Sequence, residues 1–600
     1  MNILGIGDSH EAHACIVRDG KLVAAMAEER LSRLKADMGY PRRAIEAVLE
    51  IAGLQPGEID AVAVAGLSGN LFKAVYKHVA SFGVEHWIEQ CHKIWGPVLL
   101  NGKTFSHFED FDLWRELPDN IEADPYYPLI DILRQSPPDK WMALGQDFRR
   151  GVIGRHLGIA PEKIHFYRHE DCHKAWGYYS APDRHDRALV ITVEGGGDDS
   201  SATVSTVTAQ GIEEHWRSNR VMLGRLYRYV TLILGMKPGQ HEYKVMGLAP
   251  YGTEYHGQRS LDFFRRINTV NGTEIVDEKA VPDLYFSVRD ALEGERFDGI
   301  AWGLQAWLEE MLREWVGNLV AHHGIDRVIL SGGVAQNIKA CKSLARMPEI
   351  SSFWAGPVSG DGSLGIGAAW LASRTLAPAT GIAGLPSVYL GSAQSEAKVR
   401  AAIERHGLAG RFGIIAAPGA DTIAGWLADG QIVARYSGQM EFGQRALGNR
   451  SIMADPRRPV SVERINQKVK YRDFWMPFTP SMMFEEAERM LVNPKGLYSP
   501  FMTMAFDLTD QYKDAIPAAV HPADKSARPQ MLRREDNPGY YDIIAAFKKR
   551  TGIGAVLNTS FNLHGEAIVE SPDSAIDTFL RSEIDTLLFD DIAVSRRQPS

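Results

Sequence analysis

Cysteine is scarce in this chain: Cys15, Cys91, Cys172 and Cys341 are scattered through 600 residues without a CxxC pair. That spacing gives neither a disulfide framework nor a thiolate metal cluster. Long apolar runs are also missing. None reaches the ~18 residues of a membrane span, and the opening "MNILGIGDSHEAH" lacks the charged-then-apolar layout of a secretion signal. Positive charge is in deficit, with a formal net charge of −9. No broad electrostatic footprint for nucleic acid exists, so any anion site must be a local cluster of cations. The expectation is a cytoplasmic protein with no nucleic-acid and no membrane partner. What remains is ordinary for a globular chain: 45% hydrophobic and 24% charged residues. The length suggests about two to four domain-sized units.

The segment "NILGIGDSHEAHACIVRDGKLVAAMAEER" reads as strand, turn, strand, a DG turn and a third strand. Far downstream, "RALVITVEGGGDDSSATVSTVTAQGIEEHW" repeats the plan, with a tight turn at Gln210-Gly211. Two copies of one unit, each with polar residues at its turn, suggest two related halves facing a cleft. Then "DRVILSGGVAQNIKACKSLA" gives a strand, a Gly-Gly turn and a helix. "FWAGPVSGDGSLGIGAAWLA" follows with a glycine-rich turn onto an Ala/Gly-rich helix. Helix starts of this kind are natural anion sites. The order of hairpin, hairpin and GG turn resembles the actin-like sugar kinase/Hsp70 fold, which clamps a nucleotide between two halves.

Residues 167–177, "YRHEDCHKAWG", contain His169-Glu170-x-x-His173, the H-E-x-x-H pattern of zinc proteases. A third histidine at metzincin spacing is absent, since Trp176 and Tyr179 occupy those places. Glu194 follows Pro182 and ends the strand "ALVITVE", so it faces the cleft from a strand end and is not on a second protease helix. Glu170 therefore reads as a chance match. His169 and His173, at i and i+4, share a helix face suited to a metal, and Asp361 in "SGDGS" is their natural partner. Two histidines and one carboxylate suit Fe²⁺, Zn²⁺ or Mn²⁺ without choosing among them.

The last third changes character. In "RYSGQMEFGQRALGNRSIMADPRRPVSVERINQKVKYRDFWMPFTP", Arg445, Arg450, Lys470 and Arg472 stand among glycines and aromatics; Lys525 and Arg528 follow. The strand "GIGAVLNTSFNLHGEAIV" delivers Asn558, Thr559, Ser560 and Asn562 to a polar turn. Guanidinium forks with amide and hydroxyl donors make a phosphate-handling site.

These motifs together resemble the O-carbamoyltransferases of the nodulation-factor, cephamycin and tobramycin type. "HEAHACIV", "HEDCHKA", "YKVMGLAPYG", "SGGVAQN", "GDGSLGIGAA", "EFGQRALGNRSIMADP", "KYRDFWMPF" and "LNTSFNLHGE" occur in the family's order. The resemblance implies an α/β chain with two domains. An actin-like, Kae1-like transfer domain spans 1–380 with an insertion at about 67–150, and a YrdC-like domain spans 381–600. It further implies that ATP and carbamoyl phosphate are converted to carbamoyl-AMP, from which the carbamoyl group passes to a hydroxyl of a small-molecule acceptor such as a sugar or natural product, as in antibiotic and other secondary metabolite biosynthesis.

By position, His169, His173 and Asp361 match the family's metal ligands, and Glu194 stands where the family has an aspartate ligand. Fe²⁺ is the first choice of ion, with Zn²⁺ or Mn²⁺ as alternatives, and Mg²⁺ accompanies ATP. His10 matches the family's general base, in the titration range that such work needs. His13 nearby reads more plainly as a residue supporting the turn. Lys244, Gly332, Gly333 and Asn337 would hold the adenylate. Arg445, Lys470, Arg472 and Arg528 would grip carbamoyl phosphate and ATP, supported by Arg450 and Asn558. Met476 replaces a family arginine. Residues 67–150 are expected to cover the acceptor side of the cleft, or else only to pack or to make a homodimer contact. The rival readings are an actin-fold small-molecule kinase, an Hsp70-type switch and a threonylcarbamoyl-tRNA-type transferase; the acidic balance argues against the last.

Overall fold

A computed structural model of the chain describes every residue except 69–81, 104–127, 129–131, 133–134, 138–139, 185–186, 210, 279–280 and 597–600. The chain divides into two compact units: Met1–Glu28 with Ala36–Pro386, and Glu29–Lys35 with Ser387–Ser600. The division falls after Pro386, not after residue 380. The seven residues 29–35, expected in the first unit, belong to the second.

In the first unit, β1 (Asn2–Gly7), β2 (His13–Arg18), β3 (Lys21–Ala27), β4 (Ala61–Ala65) and β5 (Ile164–Tyr167) form one sheet in the order β3-β2-β1-β4-β5. A second sheet contains β6 (Leu189–Val193), β7 (Ala202–Thr208), β8 (Gly211–Ser218), β9 (Arg327–Ser331) and β10 (Ser352–Ala355), in the order β10-β9-β6-β7-β8. Both sheets join an antiparallel meander to two parallel strands. This is the duplicated α/β plan of the actin-like fold. Strands β4 (AVAVA) and β6 (LVITV) are apolar or hydroxyl-bearing and buried throughout, as strands covered on both faces must be. Gln210 lies outside the described residues, so the expected Gln210-Gly211 turn is seen only from Gly211 onward.

The helix Leu364–Leu376 packs on β1, β2 and β4 and against the helix His169–Tyr179. Its small residues allow the close approach, and the Trp176 and Trp370 rings stack at 5.6 Å between the two helices. Both rings are fully buried. Burial of each is worth roughly 2–3 kcal/mol, and the stacked pair adds about 1. This contact fixes the histidine helix relative to Asp361, which begins the Asp361–Ser363 turn just before Leu364. Of the insertion, the helices Val84–Gln90 and Gly96–Asn101 are described. Cys91 between them packs with Leu232, Tyr285 and Phe286. The expectation that residues 67–150 line the acceptor side falls largely on residues outside the description.

The second unit is built on β11 (Gly413–Ala416), β12 (Val433–Tyr436), β13 (Arg450–Ala454), β14 (Thr479–Met483), β15 (Gln530–Leu532), β16 (Ala555–Ser560), β17 (Thr586–Leu588) and β18 (Ile592–Ser595). Their order is β11-β18-β17-β12-β13-β16-β14-β15. Alternation sends Ala434, Ile452 and Leu557 to one core and Val433, Met453 and Val556 to the other, so helices cover both faces. The 29–35 strip docks within this unit: Arg30 Nη2 donates to Gly443 O at 2.5 Å, and Arg33 Nη1 donates to Ile568 O at 2.7 Å.

Candidate functional site

The first unit brings His169, His173, Glu194 and Asp361 together, with one ligand atom of each within 4.8 Å of the others. His169 and His173 project from one face of their helix, with their Nε2 atoms 3.1 Å apart. Glu194, just beyond β6, places Oε2 2.6 Å from His169 Nε2 and 3.4 Å from His173 Nε2. Asp361 Oδ1 lies 3.7 and 3.8 Å from the same two nitrogens. Burial opposes charge on His169, yet the facing carboxylates hold its pKa above the usual range; the two imidazoles hold Glu194 low despite burial. Glu194 Oε1 is buried and has no hydrogen-bond partner among the described residues. Two nitrogens bound to one ion at about 2.1 Å would stand roughly 3–3.5 Å apart, which the observed pair matches. The N₂O₂ donor set therefore fits one divalent ion of the Fe²⁺, Zn²⁺ or Mn²⁺ type.

The surrounding turns hold these ligands in place. Asp198 accepts from the backbone N–H groups of His169 at 2.8 Å, Leu67 at 2.8 Å and Ser68 at 3.0 Å, so it anchors the start of the histidine helix. Glu170 is fully buried and accepts from Asp199 N at 3.1 Å and Ser200 N at 3.0 Å. It braces the turn after Glu194, so the protease-like glutamate is structural. Glu11 Oε2 accepts from Gly362 N at 3.1 Å beside Asp361.

His10 Nε2 lies 2.9 Å from Gly239 O. A carbonyl only accepts, so Nε2 carries the proton and Nδ1 carries the lone pair. His13 differs. Gly365 N donates to its Nε2 at 2.8 Å, so its Nδ1–H donates to Glu11 O, also 2.8 Å away. Both ring nitrogens serve the fold, and burial lowers its pKa to about 4. Lys244 lies half-buried on the helix Glu242–Leu248. Gly332 has φ +89°, and a Cβ there would meet Val193 O at 2.5 Å; Gly333 faces open space. Asn337 caps the helix Ile338–Ala345 by accepting from Ala340 N, and its amide exchanges hydrogen bonds with Gln305. Its side chain is occupied within the fold, so it shapes the turn without reaching outward.

In the second unit, Lys470 is 2% exposed and its Nζ faces Ser560 O, Ser560 Oγ, Asn562 O and Asn562 Oδ1 at 2.5–3.1 Å. Burial, with Arg472 and Lys35 nearby, holds the ammonium well below the ordinary lysine range. Arg472 reaches Thr559 Oγ1 at 3.3 Å and covers the Phe478 ring at 5.1 Å. Arg445 and Arg528 are half-buried on neighbouring loops. Arg450, expected in a supporting role, sits as a brace. It is fully buried, donates to Ser437 O and Asn449 O, and stacks 3.7 Å over Tyr436. Asn558 likewise faces inward, donating to Ala446 O at 2.9 Å and Ser481 Oγ at 2.8 Å, which steadies the loop carrying Arg445. Lys35 was overlooked, although "EERLSRLK" is a cationic run placed straight after a strand.

Two family descriptions match the chain: Carbamoyltransferase N-terminus over residues 2–370, and Carbamoyltransferase C-terminus over 424–596. The nodulation protein NolNO of Sinorhizobium fredii is 30% identical, covering 98% of this chain and 80% of the relative. The nodulation protein NolO of Bradyrhizobium diazoefficiens is 34% identical, covering 69% of this chain and 76% of the relative. Among solved structures, component A of (R)-2-hydroxyglutaryl-CoA dehydratase from Acidaminococcus fermentans aligns at TM-score 0.32 and 16% identity, over 63% of this chain and 99% of its own. With both terminal regions of the family present on one polypeptide, this chain belongs to the carbamoyltransferase family and is an enzyme of that kind.

Proposed function

We propose that the protein is an ATP-dependent O-carbamoyltransferase working in two steps. The second unit makes carbamoyl-AMP from ATP and carbamoyl phosphate, releasing pyrophosphate and phosphate. The first unit passes the carbamoyl group to a hydroxyl of a small-molecule acceptor, a sugar or natural product, in the cytoplasm. The observation that supports this most is Lys470 seated on the Ser560–Asn562 turn, with Arg472 on the adjoining Thr559 and the charge of Lys35 felt at Lys470. Cations gathered at so small a spot suit a polyanion.

In the first step, Arg445, Arg472 and Arg528 would neutralise phosphate oxygens, while the charge of Lys470 acts through the turn that it holds. Water displaces phosphate from carbamoyl phosphate, leaving carbamate; a carbamate oxygen then attacks the α-phosphorus of ATP, and the bond to pyrophosphate breaks. Mg²⁺ would accompany ATP. In the second step, His10 Nδ1 takes the proton of the acceptor hydroxyl as its oxygen bonds to the carbamoyl carbon. The bond to AMP breaks, and AMP leaves. A divalent ion held by His169, His173, Glu194 and Asp361 would supply Lewis-acid charge for the phosphate of the adenylate. Lys244, with the Gly332–Gly333 turn, would seat the nucleotide.

The test supplies the purified chain with ATP and carbamoyl phosphate and no acceptor. Carbamoyl-AMP and pyrophosphate should accumulate only with both substrates. Arg528→Ala and Lys470→Ala should abolish this, and His10→Ala should spare it while stopping transfer. Release of ADP without pyrophosphate would instead mean a kinase. Full transfer by His10→Ala would remove that residue from its role.

A further inference from the structure

The helix Leu223–Ile233 carries Arg225 and Arg228 one turn apart. Their guanidinium groups lie against the Gly195–Gly196 turn that follows Glu194. A Cβ on Gly195 would stand 3.3 Å from Arg228 Nη2, and one on Gly196 would stand 3.0 Å from Arg225 Nη2. Arg225 Nε donates to Gly195 O at 2.6 Å. Both side chains are partly buried, and among the described residues neither is ion-paired with a carboxylate. Burial and the neighbouring Arg228 push the Arg225 pKa down, against the opposing pull of Tyr229 and Glu194.

Lys237 lies on the segment that leads to Gly239. Its ammonium is half-buried, has no partner among the described residues, and is pushed down by burial alone. It stands two residues before Gly239, whose carbonyl holds His10. The nearby carboxylate, Glu242, is committed elsewhere: its Oε1 accepts from Gly239 N at 2.6 Å, and burial pushes its pKa up. Arg228 acts electrostatically on Glu242, which holds Gly239 N, while Gly239 O holds His10.

Two half-buried guanidinium groups at one turn, neither ion-paired among the described residues, point to a missing anion. We infer that Arg225 and Arg228 form a seat for an oxyanion (phosphate, sulfate or carboxylate) carried by the acceptor itself. The acceptor is then an anionic hydroxyl compound, such as a sugar phosphate or a uronic acid. This rests on the transfer reaction proposed above. The competing source of the same chemistry is the phosphate of the adenylate, which the experiment separates.

The test is calorimetric titration of the full chain with glucose 6-phosphate and with glucose, each with and without saturating AMP. Glucose 6-phosphate should bind about tenfold or more tighter than glucose, whether or not AMP is present. Arg225→Gln and Arg228→Gln should each erase most of that gain while AMP affinity stays within about twofold. Arg225→Lys, which keeps the charge, should retain a measurable gain and guards against loss of fold. Equal binding of the two sugars, including no binding of either, overturns the inference. So does loss of the gain once AMP is bound, or a fall of about tenfold in AMP affinity in the glutamine variants, since either assigns the arginines to the adenylate. Failure of the two-step reaction itself would show differently, as absence of pyrophosphate release.

Discussion

Arg149 grips Asp8 through Nε and Nη2 at 2.7 and 2.8 Å, although 141 residues separate them and both side chains are at most 4% exposed. The same guanidinium donates to Ala65 O and Gly66 O, tying the first hairpin turn to the end of β4. Removing one partner of a buried pair strands the other charge, at a cost of about 3–5 kcal/mol. Arg149→Ala should therefore lower unfolding free energy by that amount in urea melts. Because Asp8 lies two residues from His10, carbamoyl transfer should fall further than adenylate formation.

The metal cluster predicts stoichiometry. The wild-type chain should bind one divalent ion, and His173→Ala or Glu194→Ala should each lower the bound metal to below about a tenth in elemental analysis at equal protein. Chelation should lower the melting temperature of the wild type and leave these variants nearly unmoved, because an ion bound only by the folded chain stabilises it and these variants hold none to lose.

Arg450 and Arg472 should separate structure from chemistry. Arg450→Ala removes donors from buried carbonyls and a cation from the Tyr436 ring, so it should cost about 2–4 kcal/mol in thermal or chemical melts. Arg472→Ala should leave the melt within about 0.5 kcal/mol but lower pyrophosphate release by about a hundredfold. Equal effects of the two on stability would refute the division.

His13 predicts a dependence on pH. Its folded pKa is lowered to about 4 by burial, whereas the unfolded chain takes up the proton near 6.5. Between these values the unfolded state binds more protons, so stability is lost as pH falls from about 6.5 toward 4, by about 3 kcal/mol in all. His13→Gln should flatten that part of the profile, measured on metal-loaded protein.

How much of this was legible beforehand follows from range. The two hairpins, the histidine helix and the glycine turns announce themselves within about ten residues, through alternation and i, i+4 spacing. Asp361 pairs with the histidines on the reading that the SGDGS turn lies beside a helix of the other half of a cleft. By contrast, nothing local marks the 29–35 strip as part of the second unit, since its partners Gly443 and Ile568 are more than 400 residues away. The sequence does not show that Arg450 spends its donors on Ser437 O and Asn449 O, because an arginine reads the same whether it faces a ligand or a carbonyl. Arg225 and Arg228 drew no notice, since their meaning depends on the Gly195–Gly196 turn, which only folding brings beside them.

That early strip has a practical consequence. A gene severed after codon 386 would yield a downstream product lacking Arg30, Arg33 and Lys35, hence without two of its staples and one of its charges. Such a fragment should not be made to work by co-expressing the upstream piece as a free partner unless the strip can dock back in trans. A cut that respects the second unit must therefore leave residues 29–35 with it.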